Sequence, residues 1–159
     1  MEVYTVAQAK NKFPLIRRNA ARGIESIVMD FKRTETGAVS VISTDLLNRV
    51  TTEALSGLTY QWVDRPGDSI TDTEENQTWN LWNEQLRLHG VGLTKEEAVY
   101  SLVEDAMNYA EEYFDDLEYF LNPKSERDGH YWILRGIKQC QGNKEKVLEV
   151  IGLKKLLEE

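Results

Sequence analysis

Hydrophobic and polar positions near the start of the chain follow helical spacing. Thr5 and Gln8 are spaced as a capping box, in which each side chain satisfies a free backbone N–H at the start of a helix. Pro14 has no N–H to continue a helix but suits the first position of a new one. The pattern therefore predicts two short helices, Val6–Lys12 and Pro14–Arg22.

Two segments rich in β-branched residues follow, Ser26–Lys32 and Gly37–Ser43, and turn-forming residues separate them. This arrangement is typical of a β-hairpin. The apolar positions of residues 43–55 then recur at helical spacing behind a Ser, Thr or Asp cap. We expect residues 1–55 to form a compact α+β domain containing a short strand, two helices, a hairpin and a helix.

The remaining residues, 56–159, are expected to form a mainly helical domain. Residues 60–64 alternate as a strand does, whereas residues 78–89 fit helical and strand spacing equally well. A second capping box at Thr94 predicts a long helix, Lys95–Leu121. Two further helices are predicted after it, separated at Gly142.

Composition narrows the class of protein without identifying it. The 159 residues are 41% hydrophobic, which is enough for a buried core. No apolar run is long enough to span a membrane, and no secretory signal is apparent at the start. Cys140 is the single cysteine, so an internal disulfide is excluded. We expect a cytoplasmic protein that does not associate with a membrane.

The charge is distributed unevenly along the chain. Residues 1–50 contain eight Lys/Arg and five Asp/Glu, a net charge of +3, whereas residues 51–159 contain eleven and twenty-two, a net charge of −11. This asymmetry indicates either two partners of opposite charge or a charged surface that only confers solubility.

The sequence offers little catalytic chemistry. On one helix His130 and Cys140 would lie roughly 15 Å apart, too far for a nucleophile and its base. Glu111, Asp115 and Glu118 share one helical face and raise the hypothesis of a carboxylate-bound metal. No Glu-x-x-His pair accompanies them, and a solvated polar face is the favoured interpretation. We therefore predict no metal, no cofactor and no enzymatic activity.

Basic residues are instead concentrated near the first two predicted helices: Lys10, Lys12, Arg17, Arg18 and Arg22. Lysine and arginine bind phosphate oxygens, and asparagine, here Asn11, can contact base edges. A single copy offers few phosphate contacts, so binding to DNA would require a dimer.

The segment "YTVAQAKNKF", the hairpin and "STDLLNRV" together resemble the Phd/YefM antitoxins of type II toxin–antitoxin systems. Thr5, Ala9, Lys10 and Phe13 match the family's N-terminal pattern. The resemblance implies a homodimer, or a higher even oligomer, that binds operator DNA and represses its own operon. It also implies that the remainder of the chain binds and neutralises a toxin, commonly a basic ribonuclease.

The basic cluster and the resemblance assign two sets of residues. The predicted DNA-binding residues are Thr5, Gln8, Lys10, Asn11, Lys12, Arg18 and Arg33; the predicted toxin-binding residues are Trp79, Trp82, Tyr113 and Asp116. The segment "HGVGLTKEEAVY" is also similar to the strand-to-helix junction of HicB-like antitoxins. This second similarity favours strand for residues 78–88, paired with residues 60–64 beneath the long helix.

Two alternatives remain at this point. The chain could be a protein-interaction or regulatory module without DNA binding, or a carboxylate–metal enzyme built on Glu111, Asp115 and Glu118. The second requires a bound metal, whereas the first differs from an antitoxin mainly in its partners.

Overall fold

A computed structural model of the chain describes residues 1–30, 32, 37–63 and 78–158. The described chain divides into two compact units, Met1–Val50 and Thr51–Glu159. Each unit contains helices and a three-stranded sheet, so the predicted α+β class is confirmed.

The first unit is built on a small mixed sheet. Strand β2 is central, parallel to β1 and antiparallel to β3, with Tyr4 opposite Val28 and Val28 opposite Val39. The hairpin predicted from the β-branched residues is present as β2 and β3, and its turn lies outside the described residues. The elements of this unit are β1 (Glu2–Thr5), α1 (Val6–Ala21), β2 (Ser26–Met29), β3 (Ala38–Val41) and the start of α2 (Thr44–Ser56).

The prediction of two helices interrupted at Pro14 is wrong, because α1 is continuous from Val6 to Ala21. Its buried residues, Ile16 and Ala20, both follow Pro14, while Pro14 itself is exposed. A proline inside a helix removes one backbone hydrogen bond, but on the exposed side water can satisfy the freed carbonyl. The helix therefore continues through the proline and packs its following turns on the sheet.

Helix α2 begins where the sequence predicted it. The N–H of Asp45 donates to Oγ of Ser43 at 3.2 Å, which satisfies one free donor at the helix start. The division between the units falls within this helix, at residue 50, and so precedes the boundary predicted at residue 55. Within the second unit Thr51 and Leu55 of α2 lie against Gly136, where a Cβ would come 2.6 Å from Leu55.

The second unit combines an antiparallel sheet with a group of helices. Its described elements are β4 (Tyr60–Trp62), β5 (Trp79–Asn83), β6 (Leu88–Gly92), α3 (Lys95–Asp115), α4 (Leu117–Phe120), α5 (Tyr131–Gln139), α6 (Lys144–Val150) and α7 (Lys154–Glu158), with short 3-10 turns at Pro123–Ser125 and Asp128–His130. Strand β5 is central and pairs with β4 and β6.

The ambiguous segment of residues 78–89 is strand, as the similarity to HicB-like proteins favoured. It is not one long strand, however, because a turn at residues 84–87 divides it into β5 and β6. Asn83 holds that turn: its Oδ1 accepts from the N–H of Leu86 at 2.8 Å, and its Nδ2 donates to the carbonyl of Thr59 at 3.0 Å. A buried asparagine at the end of β5 thus ends the strand.

The long predicted helix also ends earlier than expected. Asp116 leaves the helical conformation, with φ −131°, and its side chain caps α4 by accepting from the N–H of Tyr119 at 3.2 Å. Near the C-terminus the second of the two predicted helices is divided into α6 and α7. Gly152, with φ +79°, ends α6 in the left-handed conformation that glycine adopts readily.

Helix α3 packs against one face of the sheet through two glycines. A Cβ on Gly90 would lie 1.9 Å from the carbonyl oxygen of Ala98, and one on Gly92 would lie 2.4 Å from Cβ of Glu97. The side chain of Leu81, opposite Gly90 in the register, is fully buried on the same face. These glycines allow the backbones of β6 and α3 to approach closely.

The core of the second unit joins this sheet and α3 to the C-terminal helices. Its fully or nearly fully buried side chains are Leu81, Val99, Leu102, Val103, Ala106, Tyr113, Leu134, Ile137, Val147, Leu148 and Leu153. The hydroxyl of Tyr60 donates to the carbonyl of Ile151 at 2.7 Å, and burial raises the pKa of this tyrosine well above its usual value. The second unit therefore has a continuous core of its own.

Candidate functional site

The start of α1 has the capping geometry that the sequence predicted. The N–H of Gln8 donates to Oγ1 of Thr5 at 3.1 Å, and the N–H of Thr5 donates to Oε1 of Gln8 at 2.9 Å. Both side chains are thus engaged in fixing the helix start. Their contribution to a DNA site would be to orient the helix.

The remaining predicted DNA-binding residues that the structure describes, Lys10, Asn11, Lys12 and Arg18, are all exposed on α1. Lys10 and Arg17 are seven residues apart, as are Asn11 and Arg18, so each pair lies about two turns apart on one side of the helix. We call Lys10, Asn11, Arg17 and Arg18 the basic face. Asn11 and Arg18 are opposite the buried Ile16 and Ala20, and Lys10 and Arg17 lie to one side of them.

Lys12 lies on a different side of α1. Its Nζ is 5.7 Å from the centre of the Tyr4 ring, so this lysine borders the sheet of the first unit. Arg33, the last predicted DNA-binding residue, lies outside the described residues. Two residues of an α-helix rotate by about 200°, so Lys10 and Lys12 lie on different sides of α1 although both were predicted to bind DNA.

The first unit exposes an unusual share of its hydrophobic side chains. The exposed fraction is 55% for Phe13 and 61% for Val39, and the unit buries only Tyr4, Ile16 and Ala20 among its described hydrophobic residues. Val3, Val6, Leu15, Ile24 and Leu46 are also exposed. Exposed apolar surface on this scale is typical of a protein interface.

The structure does not bring the predicted toxin-binding residues together. Tyr113 is fully buried, and its hydroxyl donates to the carbonyl of Arg127 at 2.9 Å, so it is a core residue and forms no part of the surface. Its pKa is raised to about 12, chiefly by burial. Asp116 is exposed at the C-terminal end of α3, about 30 Å from the helix start.

The two tryptophans, by contrast, both lie on β5, and Trp79 is near the N-terminal end of α3. Trp79 is 43% exposed and packs edge-on against Trp62, and Nζ of Lys95 is 5.0 Å from the centre of its ring. Trp82 is on the opposite face of the sheet, since side chains alternate along a strand. There its neighbours across the sheet are Gln61 and His89.

The second unit also contains a polar cleft. It has a volume of about 420 Å³, and its lining residues are Leu86, Arg87, Leu88, Asp105, Asn108, Tyr109, Glu112, Arg127 and His130. One face of α3 supplies the residues from 105 to 112, the turn between β5 and β6 supplies Arg87, and the loop before α5 supplies Arg127 and His130. We refer to it below as the polar cleft.

The centre of the polar cleft is a tyrosine–histidine pair. The hydroxyl of Tyr109 and Nδ1 of His130 are 2.7 Å apart, and the guanidinium of Arg127 lies 5.8 Å from the centre of the Tyr109 ring. Burial raises the pKa of Tyr109. Burial lowers the pKa of His130, and the positive charges of Arg127 and Arg87 lower it further. His130 is therefore neutral around pH 7.

Of the three carboxylates in the metal hypothesis, Glu111 forms an ion pair with Lys138. Glu104, earlier on α3, pairs with Lys144. The part of the chain described by the structure contains no cluster of three or more histidine, cysteine, aspartate or glutamate side chains that could hold a metal. Cys140 is buried, and its thiol donates to the carbonyl of Gly136 at 3.4 Å.

The sequence did not single out the polar cleft. Asp105, Tyr109 and Glu112 recur at helical spacing, which could have marked one face of α3. Arg87 and Arg127 are forty residues apart in sequence. Only the tertiary packing brings them into one cleft.

Comparison with solved structures defines the class of fold. The chain is similar, with a TM-score of 0.60 and 18% identity, to the antitoxin part of a proposed toxin/antitoxin system from Syntrophomonas wolfei subsp. wolfei. The similarity covers 96% of this chain and 95% of that one, so both units share the fold of that protein. No curated protein matches the sequence.

The sequence itself matches the PHD-like family over residues 1–153. This family is described as the antitoxin of a toxin–antitoxin system of RelE/RelB type. The chain therefore belongs to the PHD-like antitoxin family. In the described residues no helix is both long and apolar enough to cross a membrane.

Proposed function

We propose that this antitoxin acts through two separate surfaces: a dimer of the first unit binds operator DNA and represses its own operon, and the second unit binds and neutralises the cognate toxin. The proposal follows the resemblance to the Phd/YefM antitoxins. The single observation that carries it is the basic face of α1, on a unit that leaves its apolar side chains exposed.

Dimerisation is supported by the burial of the first unit. Phe13 and Val39 are more than half exposed, whereas an isolated unit of this size needs most of its hydrophobic residues in a core. A second copy would cover such side chains and would double the number of basic residues available to a duplex. A homodimer or higher even oligomer is thus part of the proposal.

DNA binding is supported by the charge and capping of α1. The helix contains four basic residues and no acidic residue, and its N-terminal end carries the partial positive charge of the helix dipole. Lys10, Arg17 and Arg18 would contact phosphates, and Asn11 would contact a base edge. Arg33 belongs to the same proposal from the sequence alone.

The test is the affinity of the full chain for the DNA upstream of its own operon, measured by fluorescence anisotropy over a range of salt concentrations. We expect the double substitution Lys10→Ala and Arg18→Ala to weaken binding strongly. The slope of log K against log salt should fall by about 0.9 for each phosphate that the variant no longer neutralises. Lys12→Ala, on the sheet side of α1, should have a smaller effect.

The matched control is the double substitution Lys154→Ala and Lys155→Ala, which removes the same charge from exposed positions of α7. If it weakens DNA binding as much as the substitutions on the basic face do, only total charge matters and the proposed site is wrong. Undiminished binding by the Lys10 and Arg18 variant would exclude the basic face.

Toxin binding is proposed for the side of the second sheet that carries Trp82. Val63 and Val91 on that side are 45% and 39% exposed, and Trp82 lies beside them, so an aromatic and aliphatic surface is accessible there. Aromatic residues of this kind are frequent anchors of protein interfaces. The net charge of −11 on residues 51–159 would speed association with a basic toxin such as a ribonuclease.

The toxin proposal is tested with the protein encoded by the neighbouring gene. We expect Trp82→Ala to reduce both binding in calorimetry and the rescue of cell growth during co-expression. Val150→Ala, an exposed apolar truncation on α6, is the control and should leave both unchanged. Equal rescue by the two variants would contradict the assignment of Trp82. Trp79 and Asp116, at opposite ends of α3, are tested in the same way.

These activities are binding activities, so the proposal includes no catalytic residue, metal or cofactor. Operator DNA and a translation-inhibiting toxin are both found in the cytoplasm, which is the proposed location.

A further inference from the structure

The polar cleft of the second unit has a chemistry that neither DNA binding nor toxin neutralisation uses. Its volume of about 420 Å³ falls in the range of small-molecule sites. It contains two guanidinium groups, Arg87 and Arg127, together with a half-buried imidazole, His130. Two carboxylates, Asp105 and Glu112, lie on the α3 side.

Arg127 is held in place from two directions. Its backbone carbonyl accepts the hydroxyl of the buried Tyr113 at 2.9 Å. Its guanidinium lies 5.8 Å from the centre of the Tyr109 ring and 5.9 Å from that of Phe120. The guanidinium also interacts with the hydroxyl of Tyr109. Because a guanidinium has five N–H donors, others remain for a carboxylate or a phosphate.

Arg87 is placed by a turn that is unfavourable for its residue type. Its φ is +55°, a left-handed conformation in which a non-glycine residue is uncommon. The turn is fixed by the buried side chain of Asn83, which accepts from the N–H of Leu86. A glycine would suit this backbone conformation better, so a substitution by glycine removes the guanidinium without straining the turn.

The two arginines lack the ion pairs that occupy other charged groups of the unit. Lys138 and Lys144 pair with Glu111 and Glu104, whereas in the described chain neither Arg87 nor Arg127 forms an ion pair. Both guanidinium groups nevertheless act on the same imidazole, because both lower the pKa of His130. Two cations and a histidine therefore line the same cleft.

We propose that the polar cleft binds a small ligand whose carboxylate or phosphate group is held by Arg87, Arg127 and His130. The carboxylates of Asp105 and Glu112 then face the remainder of the ligand, which must present hydrogen-bond donors such as an ammonium group. An amino-acid-like zwitterion combines both features. A simple anion such as acetate has the anionic group but lacks the ammonium donors.

Binding of an anion changes the protonation of His130 in a defined direction. The charged and titratable groups around this imidazole are Arg87, Arg127, Asp128, Tyr109, Asp105 and Glu112. An anion placed between the arginines offsets their positive charge, so the pKa of His130 rises when the ligand binds. The hydroxyl of Tyr109 can accept from Nδ1–H of the protonated ring as readily as it donates to the neutral one.

The 159-residue chain provides its own internal control, since it contains only two histidines. The ring signals of His130 and His89 are followed by NMR during titrations with sodium phosphate, sodium acetate and glycine, each against sodium chloride of equal ionic strength. His89→Gln assigns the two signals. We expect a saturable shift of the His130 signal and a rise of its pKa by about one unit, with His89 unaffected.

The variant that tests the site is Arg87→Gly, which removes one guanidinium while giving the turn a residue that tolerates positive φ. Its matched control is Gln141→Gly, the same substitution at an exposed left-handed position with φ +52° outside the cleft. Arg87→Gly should weaken ligand binding about tenfold and raise the pKa of His130 in the free protein. Gln141→Gly should do neither.

Each outcome decides the proposal. A saturable shift of His130 with phosphate assigns a phosphate group, and one with acetate or glycine assigns a carboxylate. Tighter binding of glycine than of acetate assigns Asp105 and Glu112 as acceptors for the ammonium group of the ligand. Equal shifts of both histidines, the absence of saturation with all three probes, or unchanged affinity in Arg87→Gly would overturn it.

Discussion

The two units of the chain bury their hydrophobic residues to very different extents. The second unit encloses a continuous core in which Leu81, Leu134 and Leu153 are fully buried. The first buries Tyr4, Ile16 and Ala20, and leaves residues such as Phe13 exposed. The second unit can therefore account for its stability by itself, whereas we propose that the first depends on further burial against a second copy.

The two units also differ in how their charged residues are paired. In the second unit lysines pair with acidic residues of α3, as Lys138 does with Glu111. The basic face of α1 includes no acidic residue that could compensate it within the helix. The second unit thus pairs some of its lysines internally, whereas the first exposes both apolar and basic groups. The expected results below test this comparison, beginning with the largest effect.

The largest effect is expected where the second unit is packed most tightly. In Gly90→Ala the new Cβ would lie 1.9 Å from the carbonyl oxygen of Ala98 and 2.7 Å from the backbone N of Leu102, so β6 and α3 must separate. We expect the free energy of unfolding of the second unit to fall by about 3 kcal/mol, measured by urea denaturation. Gly129→Ala, with nothing within 4 Å of the new Cβ, is the control and should change it little.

The next effect concerns the dependence of the first unit on a second copy. If it is stabilised by dimerisation, a tenfold increase in protein concentration should raise its apparent stability by about 1.4 kcal/mol. The unfolding of the second unit should not respond. Calorimetry at several concentrations would measure both transitions.

Phe13→Asp provides the corresponding variant, because a charge at this exposed apolar position opposes burial in an interface. The concentration dependence should disappear, and light scattering should show a monomer. A first transition that is independent of concentration in the unsubstituted chain would contradict the comparison between the units.

A smaller effect is expected from the two helix caps, one in each unit. Thr5→Ala removes the acceptor for the N–H of Gln8, and Thr94→Ala removes the equivalent acceptor for the N–H of Glu97. Each should lower the stability of its own unit by about 1 kcal/mol, as measured by denaturation. Only Thr5→Ala should also weaken DNA binding, since it affects the less stable unit. Equal DNA affinity of the Thr5→Ala and Thr94→Ala variants would contradict the assignment of DNA binding to the first unit.

Local sequence signals predicted those parts of the fold that depend on neighbouring residues. The capping box of Thr5 and Gln8, the hairpin and the start of α3 at Lys95 are all present. The break at Pro14 was wrong because packing of Ile16 and Ala20 outweighs the loss of one hydrogen bond. Whether a helix continues through a proline therefore depends on tertiary packing.

The candidate sites also differ in whether neighbouring residues in the sequence or tertiary packing determine them. The basic residues of α1 could be recognised because they are close in sequence, and their role in DNA binding stays a prediction. The burial of Tyr113 depends on contacts with distant elements, such as its hydrogen bond to the carbonyl of Arg127. Arg87 and Arg127 likewise line one cleft only because elements distant in sequence pack together. Neither could be inferred from spacing.

The smallest effect is a pH dependence confined to the second unit. The pKa of His130 is lowered in the folded protein, chiefly by burial, so below its usual pKa of about 6.5 the unfolded chain binds a proton that the folded chain does not. Stability therefore rises with pH through this region and is lost on acidification. Denaturation of His130→Gln should show a smaller decrease between neutral and mildly acidic pH, and His89→Gln, on exposed β6, should retain the full decrease. The pH dependence of stability could instead differ between His130→Gln and His89→Gln mainly in the first unit. That result would contradict the assignment of the proton to the polar cleft.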